Sequence, residues 1–172
     1  KGKLSGEAID AGVRTLANFR MLAERQGVSR ITAVATSAVR EAANGGDFIE
    51  RVEDEVGLRV KVIPGREEAR LIYLGVRHTI DLSDKPTLIV DIGGGSVEFI
   101  LTEKGAAVAL ESHKIGVARL TERFLASDPP DADEIDALEA HLADQLDPML
   151  SEFRRHKVKR VVGASGTMLN LI

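Results

Sequence analysis

The sequence predicts a mixed α/β protein in two parts. Helices and strands alternate over the first half, and after a polar stretch with a proline at Asp81–Pro86 a three-strand meander with helices follows. The 172 residues, 44% hydrophobic with five prolines, suffice for one sizeable core or two small ones. The parts are expected at 1–80 and 81–172.

In chain order, Glu7–Gln26 reads as a helix, with Ile9, Val13, Leu16, Phe19 and Leu22 on one stripe, Ser5 as cap and Gly27 as stop. The stripe is expected to face a sheet. Ile31–Ala35 is a short β-branched run; Ser37 is placed to cap a brief helix ending at Asn44-Gly45-Gly46. Asp47 begins another helix, with Phe48, Ile49, Val52 and Val56 inward and Gly57 as its end. Leu58–Ile63 alternates as a strand, and Pro64-Gly65 turns into a helix from Arg66 to about His78.

The meander strands are Thr87–Asp91, Val97–Thr102 and Ala106–Ser112, joined by glycine turns. A helix over Val117–Leu125 is broken by Asp128-Pro129-Pro130. Ile135, Leu138, Leu142, Leu146, Met149 and Phe153 then mark a long amphipathic helix, which Pro148 is expected to kink. Arg160–Gly163 is a last strand, and Ser165 opens a helix cut off by the chain's end. The abrupt start and this unfinished helix read as a piece of a longer protein, truncated at both ends.

Composition narrows the chemistry. Without cysteine there are no disulfides and no thiolate sites, which suits a cytoplasmic protein. No apolar run reaches the roughly 18 to 20 residues of a membrane span, so no membrane partner is expected. With 23 basic and 27 acidic residues and 3% aromatics, neither a global positive field nor stacking platforms favour nucleic acid. An anionic substrate must then be held locally by backbone N–H groups, a few basic side chains and a metal ion.

The sharpest signal is LIVDIGGGSVEFIL, Leu88 to Leu101. An apolar strand delivers Asp91 to its exposed end, and Gly93, Gly94, Gly95 and Ser96 let the backbone turn with its N–H groups toward an anion. Glu98, on the returning strand and on the same face as Ser96, is expected to converge with Asp91 on a divalent cation. The competing reading is a glycine-rich hairpin with Asp91 as a turn residue. A dinucleotide fingerprint would need glycine where Glu98 stands, and no G-x-x-x-x-G-K-[ST] occurs.

Glu67 and Glu68 sit in the first turn of their helix, either as acids that offset the helix dipole or with one turned into a cleft to accept a proton from water. Ala35-Thr-Ser-Ala-Val-Arg40 places Arg40 one turn after a helix start, as a phosphate clamp or a solvated cation beside an ordinary cap. Gly163-Ala-Ser165-Gly166-Thr167 repeats the strand-to-helix pattern, and is not a nucleophile elbow because Thr167 stands where glycine is required. The four histidines lack metal-ligand spacing and read as surface or rim residues. Lys114 reads as a solvated lysine or a phosphate contact.

In this order and spacing, ATSAVREAAN, IPGREEARLIYLGV, LIVDIGGGSVEFIL, KIGVARLTERF and VVGASGT resemble the exopolyphosphatase/guanosine pentaphosphate phosphohydrolase (Ppx/GppA) family over nearly the whole chain. The resemblance implies a ribonuclease H-like, actin-like two-lobe fold of the sugar kinase, heat-shock chaperone and actin superfamily. It implies Glu68 as the base for water, Asp91 and Glu98 as ligands of Mg2+ or another divalent cation, and Gly93–Ser96 as the phosphate cradle. Arg40 matches the basic position after ATSA, and Gly163, Ser165 and Gly166 fall in a last phosphate-side loop.

Family members begin with a strand and an Asp-x-Gly-[ST]-Asn-[ST] loop that this sequence lacks. Residues 1–80 are therefore expected to be a partial first lobe, 81–172 an incomplete second one, and the isolated piece weakly active or inactive. The implied substrates are polyphosphate or guanosine pentaphosphate, undistinguished by the residues. The alternatives are a kinase or ATPase of the same superfamily and a non-catalytic polyphosphate- or alarmone-binding module. The oligomeric state is open, a homodimer included.

Overall fold

The structure, a computed structural model, describes residues 2–169. The chain divides into two compact units between Pro64 and Gly65.

The first unit contains helix α1 (Gly6–Arg25), strand β1 (Ala33–Ala35), helices α2 (Ser37–Glu41) and α3 (Gly45–Val56), and strand β2 (Val60–Val62). Ser5 caps α1 as expected, its hydroxyl accepting from the Ala8 N–H at 3.1 Å. The partner of α1 differs from the expectation. Ile9 and Val13 share a core mainly with Phe48, Val52 and Val56 of α3, with Val60 of β2 packed against it, and Phe19 and Leu22 stay exposed. The two helices approach closely at Gly12, where a Cβ would stand 2.8 Å from the Phe48 ring.

The brief helix α2 stops at Glu41, and Gly45 opens α3 instead of closing its predecessor. The Asn44 amide is engaged elsewhere, donating to the Leu4 carbonyl and accepting from the Leu4 N–H. Ser37 is not the cap: it is the first residue of α2, Thr36 holds the cap position, and no side-chain bond caps the helix. Gly57 ends α3 in the left-handed region, as expected. Strands β1 and β2 pair in parallel, Ala33 opposite Val60. Beside them an apolar cavity of about 860 Å³ is lined by Leu16, Phe19, Val28, Ile31 and Val34.

The second unit holds helix α4 (Gly65–Thr79), strands β3 (Thr87–Ile92), β4 (Val97–Glu103) and β5 (Ala106–His113), helices α5 (Val117–Phe124) and α6 (Ala132–Arg154), strand β6 (Arg160–Ala164) and the short helix α7 (Gly166–Leu169). Its sheet has the order β5-β4-β3-β6, antiparallel through the meander and parallel between β3 and β6. The expected meander is therefore present, with β6 added at its side.

Alternation puts Ile89 and Ile100 on one face of the sheet, where Ala69 and Tyr73 of α4 cover them. Val97, Phe99 and Leu101 face the other way, onto Leu120 of α5 and Met149 and Phe153 of α6. The unit is thus a three-layer α/β/α sandwich. Helix α6 runs unbroken through Pro148, capped by Asp131 and Glu134 in reciprocal hydrogen bonds. Of its predicted stripe, Ile135 at the first turn is exposed.

The division falls at 64/65, not at the expected 80/81 crossing, because α4 packs on the sheet that follows it. Residues 81–86 stay within the second unit. The Asp81 carboxylate accepts from the Ser83 N–H and hydroxyl, while Arg160 donates to the Asp81 carbonyl at 2.7 Å and pairs with Asp84 at 3.1 Å. The continuation of the last predicted helix past Leu169 lies outside the described residues. No helix among the described residues is long and apolar enough to cross a membrane.

Candidate active site

The sheet register gathers the predicted acidic residues in one row. Asp91 of β3 pairs with Glu98 of β4, Glu98 with Ser112 of β5, and on its other side Asp91 pairs with Ala164 of β6. Directly paired residues project to the same face, and this is the face that α4 covers. Helix α4 begins at Gly65 and carries Glu68 in its first turn.

Electrostatics carries the same message. Burial pushes the Asp91 carboxyl up, partly offset by the Ser165 hydroxyl, and the charge of Glu68 adds to the rise. Burial also pushes up the Glu98 carboxyl, against hydrogen bonds from Ser112 and Ser96, and both Glu68 and Asp91 contribute. Glu68, Asp91 and Glu98 are thus three like charges within interaction range. Glu98 is 2% exposed, and its Oε1 accepts from the Ser112 hydroxyl at 2.8 Å; Asp91 is only half-buried.

Glu67 and Glu68 have different surroundings. The Glu67 carboxylate takes a two-pronged hydrogen bond from Arg70 at 2.7 and 2.8 Å on the helix surface, while Glu68 is the acid felt by Asp91 and Glu98.

The glycine loop closes the β3–β4 hairpin. The Gly93 N–H donates to the Ser96 carbonyl at 3.0 Å, leaving Gly94 and Gly95 at the tip. None of these three glycines takes a positive φ. Their smallness instead admits α5: the N–H groups of Gly116, Val117 and Arg119 donate to the carbonyls of Gly95, Gly93 and Gly94 at 3.4, 3.0 and 3.2 Å. Donors that a helix start usually leaves orphaned are thereby satisfied. The Arg119 Nε adds a second bond to the Gly95 carbonyl at 3.0 Å. Gly116 lies so close that a Cβ there would stand 2.5 Å from loop backbone atoms.

On the other flank, the Ser165 hydroxyl donates to the Ile92 carbonyl at 3.0 Å, which brings the loop after β6 beside the end of β3. A Cβ at Gly163 would meet Met168, and Gly166 opens α7. Arg40 belongs to the first unit, where its guanidinium donates to the Ile63 carbonyl at 2.8 Å. Lys114 is exposed. Of the histidines expected at the surface or rim, His113 is partly buried and packs edge-on against Phe99.

Among the described residues no three His, Asp or Glu side chains are grouped as a ready-made metal cage. The paired carboxylates still fit a hard cation: they offer oxygen only, they are desolvated, and the charge of Asp91 raises the cost of ionising Glu98. A cation held by few protein ligands and completed by water and phosphate oxygens is the habit of Mg2+.

The sequence matches the Ppx/GppA phosphatase family over residues 1–171. The chain belongs to that family. Among solved structures, an exopolyphosphatase from Cytophaga hutchinsonii is 36% identical, with a TM-score of 0.92, over 97% of this chain and 54% of its own. A Ppx/GppA family member from Aquifex aeolicus is 34% identical, with a TM-score of 0.71, over 97% of this chain and 53% of its own. An exopolyphosphatase-like protein is 32% identical with a TM-score of 0.86. This Ppx/GppA chain therefore spans about half the length of the solved relatives it resembles.

Sequence reasoning missed three residues of the site. Ser112 reads only as a strand end, and Gly116 and Arg119 only as parts of the KIGVARLTERF motif, because their roles arise from strand register and from the approach of α5 to the loop. Their one sequence signal was the position of KIGVAR directly after the third meander strand.

Proposed function

We propose that the full-length protein is a phosphohydrolase that releases phosphate from inorganic polyphosphate or guanosine pentaphosphate. The observation that carries this reading is the single row of Asp91, Glu98 and Ser112 under α4, with Glu68 acting on both carboxylates and the glycine loop at the end of β3. Family membership and the likeness to an exopolyphosphatase support it.

Phosphoryl transfer asks the protein mainly for positioning and for offsetting charge on the phosphate oxygens. The loop N–H groups hold the terminal phosphate, and Asp91 and Glu98 would hold Mg2+. When bound, that ion supplies charge neutralisation at the phosphate oxygens. Glu68 takes a proton from water as the water oxygen bonds to phosphorus. The bridging P–O bond breaks, and the shortened chain leaves with the electron pair. A base in this role contributes roughly a hundred- to ten-thousand-fold. Ser112 and Ser96 keep Glu98 oriented, and Ser165 does the same for the end of β3.

The test is phosphate release by the full-length protein from polyphosphate and from guanosine pentaphosphate, with no sugar or carboxylic acid acceptor present. Release from either supports hydrolysis. Tight binding of both without release overturns it in favour of a binding module, and release only when an acceptor is added identifies a kinase.

A further inference from the structure

We infer that the start of α5 aims the phosphate loop, and that Arg119 is a positioning residue for substrate phosphate. The argument begins with three consecutive carbonyls. Those of Gly93, Gly94 and Gly95 are all engaged by the first N–H groups of α5, and that of Gly95 is engaged again by the Arg119 guanidinium. The peptides that follow them are trans, since among the described residues the cis bond is at Asp128–Pro129. In a planar trans peptide the C=O and the next N–H point in opposite directions. Fixing three carbonyls on α5 therefore turns the N–H groups of Gly94, Gly95 and Ser96 away from it.

The direction matters because α5 packs on the face of Val97, Phe99 and Leu101, whereas Asp91, Glu98 and α4 occupy the other. Three successive N–H groups are thus presented toward the carboxylate side as a concave anion-binding turn. The α5 dipole and the Arg119 charge act on the carbonyl ends of the same peptides, which strengthens the N–H ends as donors. Gly116 is what permits this contact: loop backbone atoms stand 2.5 Å from where its Cβ would be.

The inference rests on the hydrolase reading for its substrate but is tested separately from it. The experiment follows the amide signals of Gly94, Gly95 and Ser96 by NMR in the full-length protein as tripolyphosphate is added, alongside steady-state phosphate release from polyphosphate. The three amides are expected to shift on binding. Arg119→Ala is expected to raise KM roughly tenfold or more, the weight of one charge-assisted hydrogen bond, with kcat changed far less. Arg119→Lys restores part of the loss. Gly116→Ala, which separates helix and loop, reproduces the KM effect in a second background.

An unchanged KM in Arg119→Ala overturns the inference, as do three amides that stay still while other site signals move. Shifted amides with no phosphate release leave the inference standing and remove the hydrolase reading. Release with unmoved amides does the reverse.

Discussion

Asp91 and Glu98 stand opposite each other across the β3–β4 ladder, on the face of the sheet that α4 covers, and the charge of Glu68 acts on both. Neighbouring buried acids destabilise a fold unless something compensates, and such arrangements concentrate at functional sites. The compensation here is partial: Ser112 and Ser96 bond to Glu98, and Ser165 lies against Asp91.

Glu67 and Glu68 are predicted to behave oppositely. Glu68→Gln in the full-length protein lowers kcat for phosphate release at least tenfold, with little change in KM, because a base acts on the chemical step. Glu67→Gln, which takes the charge out of the surface pair with Arg70, leaves kcat within about twofold. Equal losses in both variants would remove the special role of Glu68.

Stability is predicted to fall as pH rises through the acid range in the presence of chelator. The folded-state pKa values of Asp91 and Glu98 lie above their ordinary values of 3.8 and 4.5. Between the ordinary and the raised values the folded chain holds more protons than the unfolded one, so stability is full below that window and declines through it. Glu98→Gln flattens this part of a thermal-unfolding pH profile and raises the melting temperature at neutral pH. A profile equally steep in wild type and variant contradicts the assignment.

Metal addition supplies the complementary test. At neutral pH, Mg2+ is predicted to raise the melting temperature of the wild-type protein, since a ligand that binds only the folded state stabilises it. The rise is much reduced in Asp91→Asn and Glu98→Gln. Identical rises in all three proteins would place the cation elsewhere.

The sandwich itself is predicted to depend on the α4 face. Ile100 is fully buried between the sheet and α4. Ile100→Ala should cost about 2–5 kcal/mol, and Phe19→Ala, at an exposed position, far less. Chemical denaturation of both variants measures the contrast.

Legibility in the sequence followed the range of the interactions. Glycine turns between apolar strands marked the meander, and the Pro64-Gly65 turn marked the start of α4, because these signals are local. The choice of packing partner is not local. A stripe such as that of α1 fits a helix or a sheet equally well, and only α3 with its Phe48 ring over Gly12 decided it. The same reason moved the boundary to 64/65, since nothing in residues 65–79 says which strands they will cover. In the site, Glu68, Asp91, Glu98 and the glycine loop stood out by residue type. Ser112, Gly116 and Arg119 became visible only through register and backbone contact.

The most direct measurement is phosphate release from polyphosphate by the full-length protein as Mg2+ is titrated, for wild type and Asp91→Asn. Wild-type release should require Mg2+ and stop with chelator, and Asp91→Asn should need at least tenfold more Mg2+ or show no release. Release that persists in chelator, or that is unaltered by Asp91→Asn, would contradict a hydrolytic centre built on the row of Asp91 and Glu98.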